Sequence, residues 1–508
     1  MLFLLPAFAG LLLVTSFPRA DLGYLAWIAF IPLVDFVLRA GSVQKAFAGG
    51  LVAGFVEFFP LLIWMPPVLT RYGGLPLPLA WIAYGLLVCV LACYPAAACA
   101  LAKYLVRRHG DMQVLLFPAV WVVFEYAQSL SPFGGFPWTL AGYSQSRFPG
   151  VIQIADVTGV YGISFLLVWT GVAALWLVRE KGRGLRAWAP AGAAIALIAG
   201  NLIYGVVSMR NWGAMRPRYT AALLQGNISF DDPEPVLLDK FQDGYVRMAD
   251  RLKPGVDLLI LPESPSPVNF ESDARYRQML EKLAGRFPFG LIFNNNSDRG
   301  TGDNARYFNS AYFLDRNGSL TGVYDKIHLV PFGEYLPLEK FLPFLETISK
   351  DVSAFSPGDD YKVIRIGNHP VNAIICFEAV FPRLVRRFVR QGSQLMVNLT
   401  NDAWYGDSAA PYQHLAISRL RAVETRRYLL RAANSGISAF IGPDGTIRGS
   451  TGILQETICE GRFDFIAAES VYARYGDVFV MLCAIICCGS LIWPLGAPES
   501  RRQRRGSG

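Results

Sequence analysis

Two kinds of hydrophobic pattern divide this chain. Over the first two hundred or so positions, apolar residues form long runs broken only by short polar joints. Eight runs are near the length needed to cross a bilayer: residues 2–18, 23–38, 47–69, 77–102, 113–130, 151–178, 188–208 and 478–496. The fourth is the clearest, with no charged residue between Pro76 and Ala102. Between the seventh and eighth the pattern changes. The apolar runs become short and rich in β-branched residues, as in Tyr219–Ile228, Val256–Ser264, Phe289–Ser297, Asn372–Val380 and Ser393–Asp402. These predict buried strands. Helical periodicity separates them at Val236–Lys253, Asp273–Arg286 and His414–Arg431, the last with its basic residues expected on an outer face. Asn317-Gly318 between two strand-like runs predicts a hairpin. Strands alternating with helices predict an α/β layered domain inserted between the seventh and eighth helices of a membrane bundle.

The expected organisation is therefore a seven-helix membrane domain over 1–212, a polar domain over 213–475, and an eighth span with a basic tail over 476–508. Loop charges set the orientation. Arg39, Lys45, Lys103, Arg107, Arg108, Arg179, Lys181, Arg183, Arg186, Arg501, Arg502, Arg504 and Arg505 fall on one side, against Arg19, Arg71 and Arg147 on the other. The basic side is cytoplasmic, which puts the polar domain on the outer face. Residues 1–18 lack the basic start of a signal peptide and read as a span.

Composition supports this picture. Charged residues make up 17% of the 508 and hydrophobic ones 53%, whereas soluble domains carry about 25% charged. The net charge of +8 does not indicate nucleic-acid binding, because Arg216–Glu469 is nearly neutral, with 29 basic and 30 acidic residues. The excess flanks the apolar runs. Cysteines have no zinc-ligand spacing and the chain holds four His, so no metal or other cofactor is expected. Asp35, Glu57, Glu125 and Asp156 lie within the apolar runs and are assigned no chemistry.

Several predicted strands end in polar residues: Glu263, Asn294–Asn296, Cys376 with Glu378, and Asn398 with Asn401 and Asp402. Ligands bind beyond strand ends in such sheets, which makes these positions candidates for one site. A cysteine nucleophile needs a base or a nearby cation. Glu263 can take the thiol proton. Lys326 can hold the thiolate and stabilise an oxyanion, with the Phe377 N–H as a second donor and Glu334 supporting the lysine. Taken singly, Cys376 could be a core residue, Glu263 a solvated strand end and Lys326 a surface lysine; His328 and His414 read as structural or substrate-lining. Leu336–Leu345 is mostly apolar and closely follows Lys326, which suggests a lipid-admitting flap bearing Phe341 and Phe344, with Trp404 and Tyr405 at the same interface.

Glu263 in "LPES", Lys326 in "YDKIHLVPFGEY" and Cys376 in "ICFE" resemble the Glu-Lys-Cys triad of the nitrilase superfamily. "NLTNDAWYG", "QH", "NSGISAFIGPDG" and the upstream "GFPWTLAGYSQ" resemble its membrane branch, the apolipoprotein N-acyltransferases. The resemblance implies an αββα nitrilase-like sandwich on an eight-span bundle in the bacterial inner membrane, facing the periplasm. It implies that an acyl chain passes from a phospholipid to the cysteine as a thioester, then to the α-amine of the diacylglyceryl-cysteine of an apolipoprotein. By position it makes Glu263, Lys326 and Cys376 catalytic and Glu334, Glu378 and Asn309 supporting. Phe377 departs from the Tyr usual after the nucleophile, which leaves any role of that hydroxyl without a bearer. Two other readings remain: a membrane-tethered nitrilase-type amidase acting on a small amide, which shares the triad, and a receptor or assembly factor with an inactive enzyme fold, which would need one of Glu263, Lys326 or Cys376 to be dispensable. A small-amide enzyme needs neither eight spans nor a flap.

Overall fold

A computed structural model describes residues 2–180, 184–229, 231–263, 267–300, 305–335 and 355–492. Its N-terminal part is helical: α1 (Leu4–Ser16), α2 (Ala26–Arg39), α3 (Val43–Leu61), α4 (Met65–Arg71), α5 (Leu77–His109), α6 (Phe117–Gln128), α7 (Val160–Arg179) and α8 (Leu185–Gly213). Among the described residues, three helices are long and apolar enough to cross a membrane, at Leu77–His109, Val160–Arg179 and Trp188–Gly213. A fourth span is reached if α3 and α4, which meet at a 55° bend, are counted as one. α1 and the C-terminal Val478–Ile492 are apolar but shorter. Small residues let the bundle close: a Cβ on Gly50 would lie 2.5 Å from the Ala96 Cα, so α3 and α5 touch backbone to backbone.

The run expected as one span over 151–178 is broken. Two short turns, Pro149–Ile152 and Ala155–Thr158, precede Gly159, and the continuous helix starts at Val160. Three of the four charges within the apolar runs, Asp35, Glu125 and Asp156, have structural partners. Asp35 pairs with Arg39 and Arg179, each at 2.8 Å. Glu125 accepts from the Trp121 indole at 3.0 Å and the Ala141 N–H at 2.8 Å.

The polar region holds two six-stranded sheets. One runs β12 (Thr457–Phe463), β1 (Tyr219–Gln225), β2 (Leu258–Ile260), β3 (Leu291–Arg299), β4 (Arg306–Leu314), β5 (Leu320–Asp325). The other runs β11 (Ile447–Ser450), β10 (Ala439–Ile441), β9 (Leu429–Ala433), β8 (Leu395–Thr400), β7 (His369–Ile375), β6 (Ile364–Ile366). In both, the central strands are parallel and the outer ones antiparallel. Side chains alternate across a strand, and this separates two cores. Ala221, Leu223, Leu258 and Ile260 join residues of the second sheet such as Val371 and Ala373. Their neighbours Ala222, Leu224, Leu259 and Leu261 pack outward on 234–249 and on α9 (Ala274–Ala284). The second sheet is covered by α10 (Pro382–Arg390) and α11 (Ala410–Thr425). The layering is αββα, and the expected hairpin joins β4 to β5.

The third predicted helix is shorter than its periodicity suggested. It ends at Arg426, whose φ of +52° leaves the helical region, and Leu429–Ala433 is β9. Its basic residues are not on an outer face: Arg421, Arg427 and Arg431 are among the largest fully buried side chains. Arg427 and Arg431 are buried among carbonyls and side chains of the sandwich itself, whereas Arg421 and Arg426 are covered by the helical part, Arg421 donating to the Tyr143 hydroxyl. Arg426 donates to Asp156 at 2.7 and 2.9 Å and to Gln153 at 2.6 Å. Glu424 accepts from the Val160 N–H at 3.0 Å and from Arg421 at 2.9 Å. Asp156 is thus an anchor between the two parts.

Candidate active site

β2, β5 and β7 end at one end of the sandwich, and residues just beyond them meet there. β7 is buried to its last residue, and Cys376 follows at φ +51°, opening a 3-10 turn over Cys376–Val380. A non-glycine residue in the left-handed region is strained and persists only where its surroundings fix it. Glu263 lies just beyond β2. Lys326 is the first residue after β5, held in register by its N–H donating to the Asn309 carbonyl on β4 at 2.9 Å.

Their side chains form one network. Lys326 Nζ donates to Glu334 Oε1 at 2.8 Å and stands 3.9 Å from Glu263 Oε1. Asn309 Nδ2 donates to both carboxylates, at 2.9 Å to Glu263 and 3.0 Å to Glu334. Asn309 is itself oriented by Asn294 Nδ2, which donates to its Oδ1 at 2.7 Å. The other Glu263 oxygen accepts from the Asn401 N–H at 3.0 Å. The Cys376 thiol is close enough to Glu263 and the Thr400 hydroxyl for both to act on its ionisation.

Glu378 lies behind this cluster. Its Oε1 accepts from the Tyr324 hydroxyl at 2.7 Å and the N–H groups of Ile327 and His328 at 2.8 and 3.1 Å. Its Oε2 accepts from the Ile375 N–H at 2.8 Å. One carboxylate therefore ties the lysine loop to the cysteine turn. On the other side, His414 Nε2 meets the Cys376 carbonyl at 3.2 Å, and its Nδ1 faces Asp402 at 3.2 Å and Arg431 at 3.1 Å. Arg431 also pairs with Asp402 at 2.7 Å. Burial and then Arg431 lower the His414 pKa, so the ring is neutral. A neutral ring accepting from Arg431 at Nδ1 donates from Nε2 to the strained cysteine peptide.

Charge is arranged unevenly. Burial pushes the Glu263 carboxyl above its ordinary range, against the pull of Lys326. Burial opposes the charge on Lys326, but Glu334 and Glu263 outweigh it and the ammonium is held. Burial, with the adjacent Glu263, raises the Cys376 thiol well above its usual range. Cys376 is thus held as a thiol, and Lys326 does not hold it as the thiolate expected from sequence. Its proton must leave as the sulfur attacks. Burial and Lys326 push His328 down to about 4, which removes it as a cation here.

Aromatic rings from the helical part roof this cluster. Trp138 lies 6.1 Å from the Phe377 ring, 6.1 Å from Tyr405 and 5.4 Å from His414, and Trp64 lies 4.9 Å from Tyr405. Both indoles donate to Gln413 Oε1, at 2.7 Å from Trp138 and 3.2 Å from Trp64. Gln413 in turn donates to the Leu61 and Pro18 carbonyls. Of the residues singled out from sequence, Glu263, Lys326, Cys376, Glu334 and Asn309 meet directly, and Glu378 braces them. Phe377 and Tyr405 belong to the roof. Trp404 is set apart against Tyr72, with ring centroids 4.5 Å apart. Phe341 and Phe344 lie outside the described residues. Sequence reasoning missed Thr400, Trp138 and Gln413 as neighbours of the site, although all three stood in quoted motifs. Among the described residues there is no cluster able to hold a metal.

Residues 220–472 match the carbon-nitrogen hydrolase family, and residues 9–173 match the apolipoprotein N-acyltransferase N-terminal domain. The chain thus carries a carbon-nitrogen hydrolase domain of the nitrilase type behind a helical domain of its own kind. The chain is 38% identical to an apolipoprotein N-acyltransferase of Geobacter metallireducens, over 95% of this chain and 93% of that one. It is 32% identical to that of Methylococcus capsulatus over 99% and 97%. Nit3 of Saccharomyces cerevisiae, from branch 10 of the nitrilase superfamily, aligns over 49% of this chain and 91% of its own, at 20% identity and a TM-score of 0.39. The chain belongs to the apolipoprotein N-acyltransferase family.

Proposed function

We propose that this protein moves an acyl chain from a membrane phospholipid to the α-amine of the diacylglyceryl-cysteine of an apolipoprotein, in two steps through a thioester on Cys376. Glu263 takes the thiol proton as sulfur attacks the ester carbonyl. Lys326, with the Phe377 N–H, stabilises the oxyanion. The tetrahedral intermediate collapses, the lysophospholipid alkoxide leaves, and Glu263 returns the proton to it. In the second step the acceptor amine attacks the thioester, Glu263 takes the amine proton, and the thiol is released protonated. Asn309, Glu334 and Glu378 are positioning residues.

The observation that carries this reading is the convergence of Glu263, Lys326 and Cys376 beside rings supplied by the loops of the helical part. A small-amide amidase has no use for that roof. The reading extends to a bundle of eight spans, with boundaries 1–212, 213–475 and 476–508, in the bacterial inner membrane with the sandwich in the periplasm. Loop charges support it. The test is intact mass after mixing purified protein with phospholipid. An acyl-sized gain, absent in Cys376→Ala, is expected; normal acyl transfer by that variant would sink the mechanism.

A further inference from the structure

α10 begins six residues after the nucleophile and is strongly two-faced. Leu384, Val385, Phe388 and Val389 are buried against the second sheet. Arg383, Arg386, Arg387 and Arg390 follow the i, i+3, i+4, i+7 spacing of the opposite face. That face abuts α12 (Val471–Tyr475), which adds Arg474, and two residues beyond α12 the apolar α13 (Val478–Ile492) begins.

The arginines here are held differently from those elsewhere on the domain. On the helices over the other sheet, Arg247 pairs with Asp239, Arg275 with Asp243 and Arg286 with Asp250. On α10, among the described residues, only Arg383 meets a carboxylate, Asp477, at 3.7 Å. Arg386 donates to the Tyr472 and Arg474 carbonyls at 3.0 and 3.1 Å, and Arg390 also donates to the Arg474 carbonyl. Arg387 donates to the Tyr361 hydroxyl at 3.0 Å. Carbonyls and hydroxyls fix these guanidinium groups without neutralising them. Tyr475 is 60% exposed beside Arg474, and Val471 and Val478 are exposed too. The domain as a whole is nearly neutral, so this is a local excess of positive charge.

We propose that Arg383, Arg387, Arg390 and Arg474, with Tyr475, form a docking surface for the phosphates of anionic membrane phospholipids. Its place at the start of an apolar helix brings it to headgroup level. Planar guanidinium groups match phosphate oxygens, and a half-exposed tyrosine suits the boundary between headgroups and acyl chains. The surface lies outside the Glu263–Lys326–Cys376 cluster and does not depend on the thioester mechanism. It depends only on the chain being membrane-embedded.

The test uses full-length protein carrying Cys376→Ala, so that turnover does not consume lipid. Native mass spectrometry counts bound phosphatidylglycerol and, separately, phosphatidylcholine. A basic side chain at an anionic surface is worth about fivefold in affinity, so Arg387→Gln with Arg474→Gln should weaken phosphatidylglycerol binding by about thirtyfold. Phosphatidylcholine binding should be unchanged, and Lys at both positions should restore most of the loss. Undiminished phosphatidylglycerol binding by the double Gln variant would overturn the proposal. So would an equal loss of both lipids, or a failure of Lys to restore binding.

Discussion

Cys376 is buried next to a carboxylate, an arrangement that disfavours a thiolate. In the proposed mechanism the burden therefore falls on Glu263, which must be ionised to accept the proton. Its carboxyl is raised by burial, so the acid limb of the thioester-forming rate should lie above pH 4.5, the ordinary value for a glutamate. Activity is lost as pH falls through that raised value, because the protonated form cannot act as base. Glu263→Gln should form the adduct about a hundredfold more slowly or worse and lose that limb. Single-turnover rates across pH would show this, and a parental rate in Glu263→Gln would remove it as base.

At the scale of elements, the strands were legible because alternation and β-branching report burial directly. The strand-end polar residues were legible because they interrupt those runs. The third helix was misjudged for a physical reason. Basic residues default to the surface, and nothing between His414 and Arg431 punctuates the pattern, since the helix is ended by a non-glycine residue at positive φ. The partners that bury Arg426, Gln153 and Asp156, stand some 270 positions earlier. Contacts at that separation leave no local signal. The loop before the sixth predicted span carries another long-range fit. Gly134 has φ +88°, and a Cβ there would come within 2.6 Å of the His328 ring, two residues from Lys326. Gly134→Ala should cost about 1–2 kcal/mol from the backbone alone and slow adduct formation by displacing that ring. Gly41→Ala, with open space around it, is the matched control in a thermal melt. Equal melting temperatures for the two variants would refute the fit.

At the scale of the molecule, the two parts are joined by buried polar contacts. Arg426→Met leaves Asp156 without its cation, with only the Tyr204 hydroxyl still donating to it, and should destabilise the protein by about 3–5 kcal/mol, the usual cost of breaking a buried pair. Adding Asp156→Leu should recover much of it, and denaturant titration of both variants checks the coupling. Orientation is tested separately: a periplasmic reporter fused after Trp212 should be active and one after Arg505 inactive, whereas the reverse pattern would invert the topology. The aromatic roof has a bearing on who collects the acyl group. A thioester is open to water as well as to amines, and water is by far the more abundant. A carboxylate and a thiol standing free in solvent would make a lipase of this sandwich. Cys376 is buried, and the Phe377 ring beside it packs on Trp138, which packs on Trp64. The acyl chain can then wait for a nucleophile that arrives with its own lipid, and whether the product is a modified protein or a wasted fatty acid is decided by that covering as much as by the triad.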